Sequence, residues 1–480
     1  MTLRRLALAD IADDWDLVVV GAGPAGMAAA AAVAERGARV LVVDREPTEG
    51  GRIFQGAIDA PVRRAAVVGA SRDDGLAVIA AFRAAPLAHL AAAEVWWLDE
   101  SGRVGVRTEA GARILSARHV VIATGAIERP MAIPGWTDPR VSAAGAGQIL
   151  LKSAGLVPRG RTVLAGTGPL LWLVAAQWLR AGHAPVRIVD TTPIVNLADA
   201  ATALPGFVAS PYCIDGAKLV AEVVRRVPIA VAARDLAVES DGEARVLTWR
   251  GGGRQRRVAF DRLFLHHGVV PDIALARAAG LAIAWNDERA AFEPEADAYG
   301  VSSVPTISVV GDGAAIVGAA AAGHAGRIAG LEAARRLGAI GVAERDRLAA
   351  PSLVARRRAL AGRRFLDRMF RPSPEARCGA PGAHVCRCEE VTSDDIARIV
   401  AATGARHPDQ IKAFTRAGMG ACRGRLCAGL VAETTARLIG EPVGAVGLPR
   451  SRPPTADVTL GDLAALADEA DGATAWGQSA

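Results

Sequence analysis

Aromatic residues are scarce, at 4% of 480 positions, and no basic run is interleaved with them. A stacking surface for nucleic acid is therefore not expected, and a net charge of +6 is too modest for this length to argue otherwise. No stretch of about 18 apolar residues runs free of charge or glycine, which excludes a membrane-spanning helix. The opening stretch is interrupted by Asp10, Asp13 and Asp14, so no secretory signal is expected. Cysteine is sparse as well, and no C-x2-C or C-x4-C pair lies near the first glycine motif, which excludes redox dithiol chemistry beside it. No base-plus-nucleophile arrangement stands out, and no catalytic residue is assigned. What remains is 51% hydrophobic and 22% charged, a globular composition with length for two to four domains. The cytoplasm is the expected location, at most peripheral to an inner membrane.

Four of the six cysteines crowd into one short segment. Cys386 and Cys388 form C-x-C, and Cys422 and Cys427 form C-x4-C. Two thiolate pairs suit a [2Fe-2S] cluster, in which each iron takes two sulfur ligands. A structural zinc site favours C-x2-4-C pairs, and two disulfides would need an oxidising compartment to which nothing points. Gly418, Gly420 and Gly424 let backbone pass close to the cluster and turn N–H groups toward its sulfurs. Cys213, in an apolar stretch, reads as a buried thiol. Cys378 receives no role.

Residues 16–44 carry a second pattern. A β-branched run, DLVVV, leads into Gly21-Ala-Gly23-Pro24-Ala25-Gly26, an alanine-rich helix follows, and a strand ends at Asp44-Arg45. This is a dinucleotide fingerprint in its strand–turn–helix setting. The first glycine permits the turn, the second admits the pyrophosphate, the third lets helix pack on strand, and Asp44 is placed for ribose hydroxyls. FAD or NAD is not decided by it. A similar pattern begins at Arg161, with Gly166, Gly168 and a strand ending at Asp190. Its third glycine is replaced by Leu171, so the fold is expected without a firm nucleotide site: NAD(P)H, another nucleotide or no ligand all stay open.

Three stretches resemble the two-dinucleotide-domain flavoprotein reductases. Glu49-Gly50-Gly51-Arg52-Ile53 is similar to their segment beside the flavin, Ala123-Thr124-Gly125 to their A-T-G turn, and Gly311-Asp312-Gly313 to their late G-D motif. That resemblance implies FAD as the first ligand. The cysteine segment, with T-R-x-G-M-G-x-C-x-G-R-x-C, resembles the cluster domain of bacterioferritin-associated ferredoxin.

The expected fold class is α/β, with two Rossmann-like dinucleotide-binding domains, one inserted in the other, and a small, mainly helical C-terminal [2Fe-2S] domain. The expected divisions are 15–157 with 272–342 for the FAD-binding domain and 158–271 for the degenerate inserted domain. They continue with 343–382 for an arginine-rich helical linker, 383–445 for the cluster domain and 446–480 for a tail. Residues 130–158 read as a connection, and 262–271 as a strand returning toward the first domain. His266 and His267 read as surface or core histidines that could also line the flavin region. The arginines at 356–358 and 363–364 read as a solvated helix face, and Ser393 or Asp394 as a helix cap.

Over almost its whole length the chain is similar to the A subunits of bacterial opine oxidases, and to subunits of hydrogen cyanide synthase and of D-hydroxyproline and proline dehydrogenases. The residues that carry this are Ala123–Pro130, Ile133–Trp136, Ala144–Ser153, His267–Pro271, the G-D motif, the cysteines and Arg452-Pro453-Pro454. The resemblance implies a partner subunit like D-amino-acid or sarcosine oxidases, carrying its own FAD and oxidising an amine, with or without a further small subunit. It also implies an FMN between subunits and a quinone or other external electron acceptor. The chain itself would relay electrons.

Overall fold

A computed structural model describes residues 3–56, 67 and 71–470. The run Asp14–Val20 is a strand whose last four residues are buried, as a β-branched stretch covered on both faces must be. It lies parallel between Val40–Val43 and Gly111–Ile122, and Ile307–Val309 extends the sheet beyond the latter. Among the described residues this sheet has eight strands. One face is covered by Pro24–Ala34 and Ala319–Arg336, two helices that cross so closely that a Cβ at Gly326 would meet the Ala25 carbonyl oxygen at 1.9 Å. The opposite face packs on Leu275, Ala276 and Leu281.

The second sheet runs, in spatial order, Ile229–Ala230, Arg187–Asp190, Thr162–Thr167, Arg262–His267 and Val141–Ala143, all parallel. Helices Ala144–Ala154 and Pro169–Arg180 cover one face and an antiparallel sheet of Arg234–Asp241, Ala244–Gly251 and Arg254–Phe260 covers the other. The 130–158 connection is thus built into this second unit, because Val141 and Leu151 are apolar and find their cover there. Residues 262–271 divide. Arg262–His267 stays in the second sheet, and Val269–Pro271 returns to pair antiparallel with Ala126–Glu128 beside the first unit.

The arginine-rich stretch forms helices Val342–Ala359 and Arg363–Met369. Arg357 and Arg358 are exposed, as a solvated face requires, whereas the stretch from Arg363 on is tied down. Glu288 accepts from Arg364 and Arg368 at 2.8 and 2.6 Å, Arg371 reaches Asp199 at 3.3 Å, and Phe365 stacks on Phe207 with centroids 4.2 Å apart. Asn196, buried, donates to the carbonyls of Met369 and Arg371 at 3.0 and 2.7 Å.

The C-terminal unit opens with a small hairpin, His384–Cys386 with Val391–Thr392. Helices Ser393–Thr403, Pro408–Thr415 and Ala428–Ile439 pack on it around Ile396, Ile411 and Val431. The first of these helices is capped by Thr392, not by Ser393 or Asp394: Thr392 Oγ1 accepts from Asp395 N, and the Asp395 carboxylate accepts from Thr392 N at 3.0 Å. This reciprocal box satisfies two donors at once, which a residue inside the helix cannot do. Trp136 anchors the unit by donating to the His384 carbonyl at 2.9 Å. The tail crosses back over it, with Arg423 donating to Ala456 O at 2.6 Å and Thr455 N to Trp96 O at 2.7 Å. Helix Leu460–Ala470 ends the described tail, so the expected last ten residues lie outside the described residues.

Candidate functional site

The first fingerprint stands where the strand Asp14–Val20 gives way to the helix Pro24–Ala34. Gly21, Gly23, Pro24, Ala25, Asp44, Arg45, Gly51, Arg52, Ala123, Thr124, Gly125 and Asp312 all line one cleft at this edge of the sheet. Gly26 and Gly311 stand behind it. A Cβ at Gly26 would meet Gly21 O at 1.8 Å, and one at Gly311, where φ is +65°, would meet Ala25 Cβ at 2.7 Å. A Cβ at Gly23, by contrast, would find nothing nearer than Gly51 Cα at 3.9 Å, so the backbone there faces free space. Tight packing behind the turn and room before it are what a pyrophosphate needs.

Asp44 is buried and its carboxylate accepts from Ala22 N and, at 2.7 Å, from Glu46 N. Burial raises its pKa while those two bonds pull the other way. Asp312 Oδ1 accepts from Val317 N and Gly318 N at 2.8 and 2.9 Å, fixing the loop before the helix Ala319–Arg336. Thr124 Oγ1 donates to Asp272 O at 2.9 Å and joins the two halves of the cleft rim.

Among the lining residues that the sequence did not assign to the cleft are Gln148, Lys152, Arg425 and Thr455. Lys152 is buried on the helix Ala144–Ala154, donates to Ile53 O at 3.1 Å, and has its pKa lowered to about 8 by burial. Arg425 belongs to the C-x4-C loop, so a residue of the cluster segment forms part of the flavin cleft wall. A lone lysine amid Ala144–Ser153 was the available signal for the first; nothing local announces the others.

The second fingerprint is built differently. A Cβ at Gly166 would meet His266 O at 1.8 Å, as the tight turn predicts, but one at Gly168 would come within 2.7 Å of His266 Nε2. The imidazole fills the space over the second glycine, held there by Glu128 at 2.5 Å from Nδ1. Leu171 is fully buried in the core beside Val174 and Ile188. Asp190 Oδ1 accepts from Thr192 N at 2.8 Å. His267 is buried, with neither ring nitrogen hydrogen-bonded among the described residues, and its pKa falls to about 3, chiefly through burial. Neither histidine lines the flavin cleft.

In the C-terminal unit the four sulfurs come together. Cys386 ends a strand, Cys427 caps the helix Ala428–Ile439, and thiol contacts run from Cys386 to Cys427, on to Cys422, and on to Cys388. The contact from Cys427 is the largest influence that lowers Cys386 to about 6 and Cys422 to about 5. Gly418 N donates to Cys386 Sγ at 3.4 Å. Gly420 has no room for a side chain, since a Cβ would meet Cys388 Cβ at 2.3 Å. Four clustered thiols with N–H groups turned toward them fit a [2Fe-2S] group. Cys386 and Cys427 are buried and Cys388 is exposed. Cys213 is half-exposed, not buried, because its helix Pro211–Val224 lies on the surface. Cys378 is buried with its pKa pushed up to about 11 by that burial.

Such a fold with such a site defines a flavin- and [2Fe-2S]-dependent oxidoreductase. The model of the pyridine nucleotide-disulphide oxidoreductase family matches residues 15–338, and that of the BFD-like [2Fe-2S] binding domain matches residues 384–434. The chain belongs to that oxidoreductase family and, within it, to the group formed by the A subunits of opine oxidases. The opine oxidase A subunit of Agrobacterium tumefaciens is 38% identical over 477 residues, covering 97% of this chain and 95% of the relative. The HcnB subunit of hydrogen cyanide synthase from Pseudomonas aeruginosa is 31% identical, covering 88% of this chain and 93% of the relative. Among solved structures, L-proline dehydrogenase from P. horikoshii shares the fold, with a TM-score of 0.67 and 18% identity over 96% of this chain and 80% of that one. The cofactors are FAD and a [2Fe-2S] cluster. No helix among the described residues is long and apolar enough to cross a membrane.

Proposed function

We infer that this chain is the electron-transferring subunit of a hetero-oligomeric dehydrogenase that oxidises a C–N bond of an opine or another amino-acid-derived amine. The relatives named as the A subunits of opine oxidases and the alpha subunits of sarcosine oxidases support the substrate class and the need for a partner. A catalytic subunit with its own FAD would supply the electrons, and a quinone or other acceptor would receive them. A flavin accepts electrons in pairs and a [2Fe-2S] cluster one at a time, which is the chemistry of dividing a pair.

The chain's own residues bind and place these groups. Gly21, Gly23 and Gly26 shape the turn that would take the phosphates, Asp44 would meet the ribose, Asp312 holds the loop before the helix Ala319–Arg336, and the four cysteines would hold the cluster. The observation that carries the reading is Arg425, which stands between Cys422 and Cys427 in sequence and lines the flavin cleft in space. Cleft and cluster loop therefore share a wall. Cys388 is the exposed corner of the cluster site and offers the way out to an acceptor. The His266 ring over Gly168 favours an empty second nucleotide site.

The test is the full chain, purified anaerobically without a partner. Flavin, iron and acid-labile sulfide are measured per chain, and the flavin band is followed on adding NADH, NADPH and octopine. About one flavin and two irons, with no bleaching by any of the three, is the expected result. Rapid bleaching by NADH or NADPH would make it a self-sufficient pyridine-nucleotide reductase instead.

A further inference from the structure

A second, small cavity of about 60 Å³ lies between the flavin unit and the cluster unit. Its lining includes Arg129, Arg277, Arg377 and Arg425, against only Glu433 and Asp272. Burying a guanidinium without an acid costs free energy, and here four arginines meet two acids in the lining, with Asp409 acting on Arg277 from outside it.

Glu433, 3% exposed, accounts for part of this. Arg129 Nη1 donates to its Oε1 at 2.7 Å. Arg377 Nη1 lies 2.8 Å from its Oε2 without the alignment of a hydrogen bond, and the buried Arg377 Nε has no hydrogen-bond partner among the described residues. Arg425 is similar. Its Nε lies 3.6 Å from Asp272 Oδ2, beyond hydrogen-bond reach, and is likewise buried without a partner. Arg277, although lowered to about 10 by burial, keeps its charge near neutrality. Buried guanidinium nitrogens left unpaired cost free energy unless something else accepts from them. The rest of the wall is apolar, with Trp285, Phe292 and Leu430, and Arg377 lies over the Trp285 ring at 5.6 Å.

We propose that this cavity binds a small organic monocarboxylate, whose carboxylate takes the unpaired N–H groups of Arg377 and Arg425 and whose apolar part lies against Trp285 and Phe292. A guanidinium fork and a carboxylate match in geometry, and convergent polar groups on an apolar wall are the usual form of a small-molecule site. The site is distinct from the FAD cleft, and shares only Ile127, Asp272, Ala274 and Arg425 with it. Its ligand sits where it would meet both redox units, and the assignment stands whether or not the chain proves to be an electron relay.

Benzoate is the probe, titrated calorimetrically into the full chain with its cofactors bound, and inorganic phosphate is the control. One saturable site per chain for benzoate, with phosphate at least tenfold weaker for want of an apolar part, is expected. Arg377→Gln should weaken benzoate at least tenfold. Glu433→Gln removes the competing acid and should tighten benzoate severalfold, so the test holds even if Arg377→Gln fails to fold. No saturable binding of benzoate, equal or tighter binding of phosphate, or weaker binding in Glu433→Gln would overturn the assignment.

Discussion

Gly23 and Gly26 stand three residues apart in one motif and meet opposite surroundings. Before Gly23 there is room, and behind Gly26 the Gly21 carbonyl leaves none. Gly23→Ala should therefore keep the melting temperature of the flavin-free chain within about 2 °C, as surface-like substitutions do, while flavin content falls because the added methyl group intrudes on the phosphate. Gly26→Ala should destabilise by about 1–3 kcal/mol through overpacking. Flavin content and thermal melting of the two variants, measured side by side, check this. Cys422→Ser should lose iron and sulfide yet keep the flavin, because cluster and cleft are held by different units; loss of both would show that Arg425 ties cofactor retention together. The cysteine motif was legible because ligand spacing is a local property of the chain. So was the first fingerprint, since turn, strand and helix follow one another within 30 residues. Lys152, Arg425 and Thr455 were not legible as cleft residues, because only tertiary packing of distant segments brings them there. His266 over Gly168 was also hidden, since it arrives from a strand about 100 residues later.

At the scale of elements, the helix after the first glycine turn was legible from its alanine content and setting, and helix ends and surroundings less so. The cap moved by one residue to Thr392 because the reciprocal bond with Asp395 outweighs Ser393, which instead donates to Ala380 O at 2.6 Å. Thr392→Ala should cost about 1 kcal/mol, read as an earlier urea transition of the cluster unit followed by the cluster's visible absorbance. The arginine-rich helices show a more general limit. A run of like charges reads as solvated unless its partners are known, and Glu288, Asp199 and Asn196 lie 76 to 175 residues away. Asn196→Ala would leave the Met369 and Arg371 carbonyls without their donor in a half-buried place. A loss of about 1–3 kcal/mol is expected, with faster proteolytic cutting in 363–377 than in the unaltered chain. Cutting at an unchanged rate would mean that the ion pairs alone hold this stretch.

Taken whole, the described residues form a mixed eight-stranded sheet and a parallel five-stranded sheet joined by a short antiparallel pair, with a cluster unit and a tail laid across the joint. Three of the four buried histidines among the described residues tie the fold's stability to pH. His89 and His119 in the first sheet have pKa values of about 4, and His267 at the joint about 3, each lowered from 6.5 chiefly by burial. All three are neutral in the folded chain near pH 7, so a lowered folded value means that the unfolded chain takes up the proton first. Their stability contribution is complete above about pH 6.5 and is lost as pH falls toward 4. Shifts of this size correspond in full to about 3 kcal/mol for His89 and His119 and about 5 kcal/mol for His267. His89 isolates the effect, because its nitrogens have no hydrogen-bond partner among the described residues, its ring meets Phe82 edge-on at 5.8 Å, and Glu49 and Arg5 act on it in opposite senses. His89→Leu removes the titrating group and leaves an apolar side chain in an apolar place. Its urea stability, measured against the unaltered chain from pH 7.5 to 4.5, should show a gap that widens in the variant's favour on acidification. Comparing the two at each pH cancels the titration of the surface carboxylates and any acid loss of the cluster, which both chains share. A gap that stays constant across the range would mean that His89 titrates alike in the folded and unfolded chain, which would require Glu49 to offset burial.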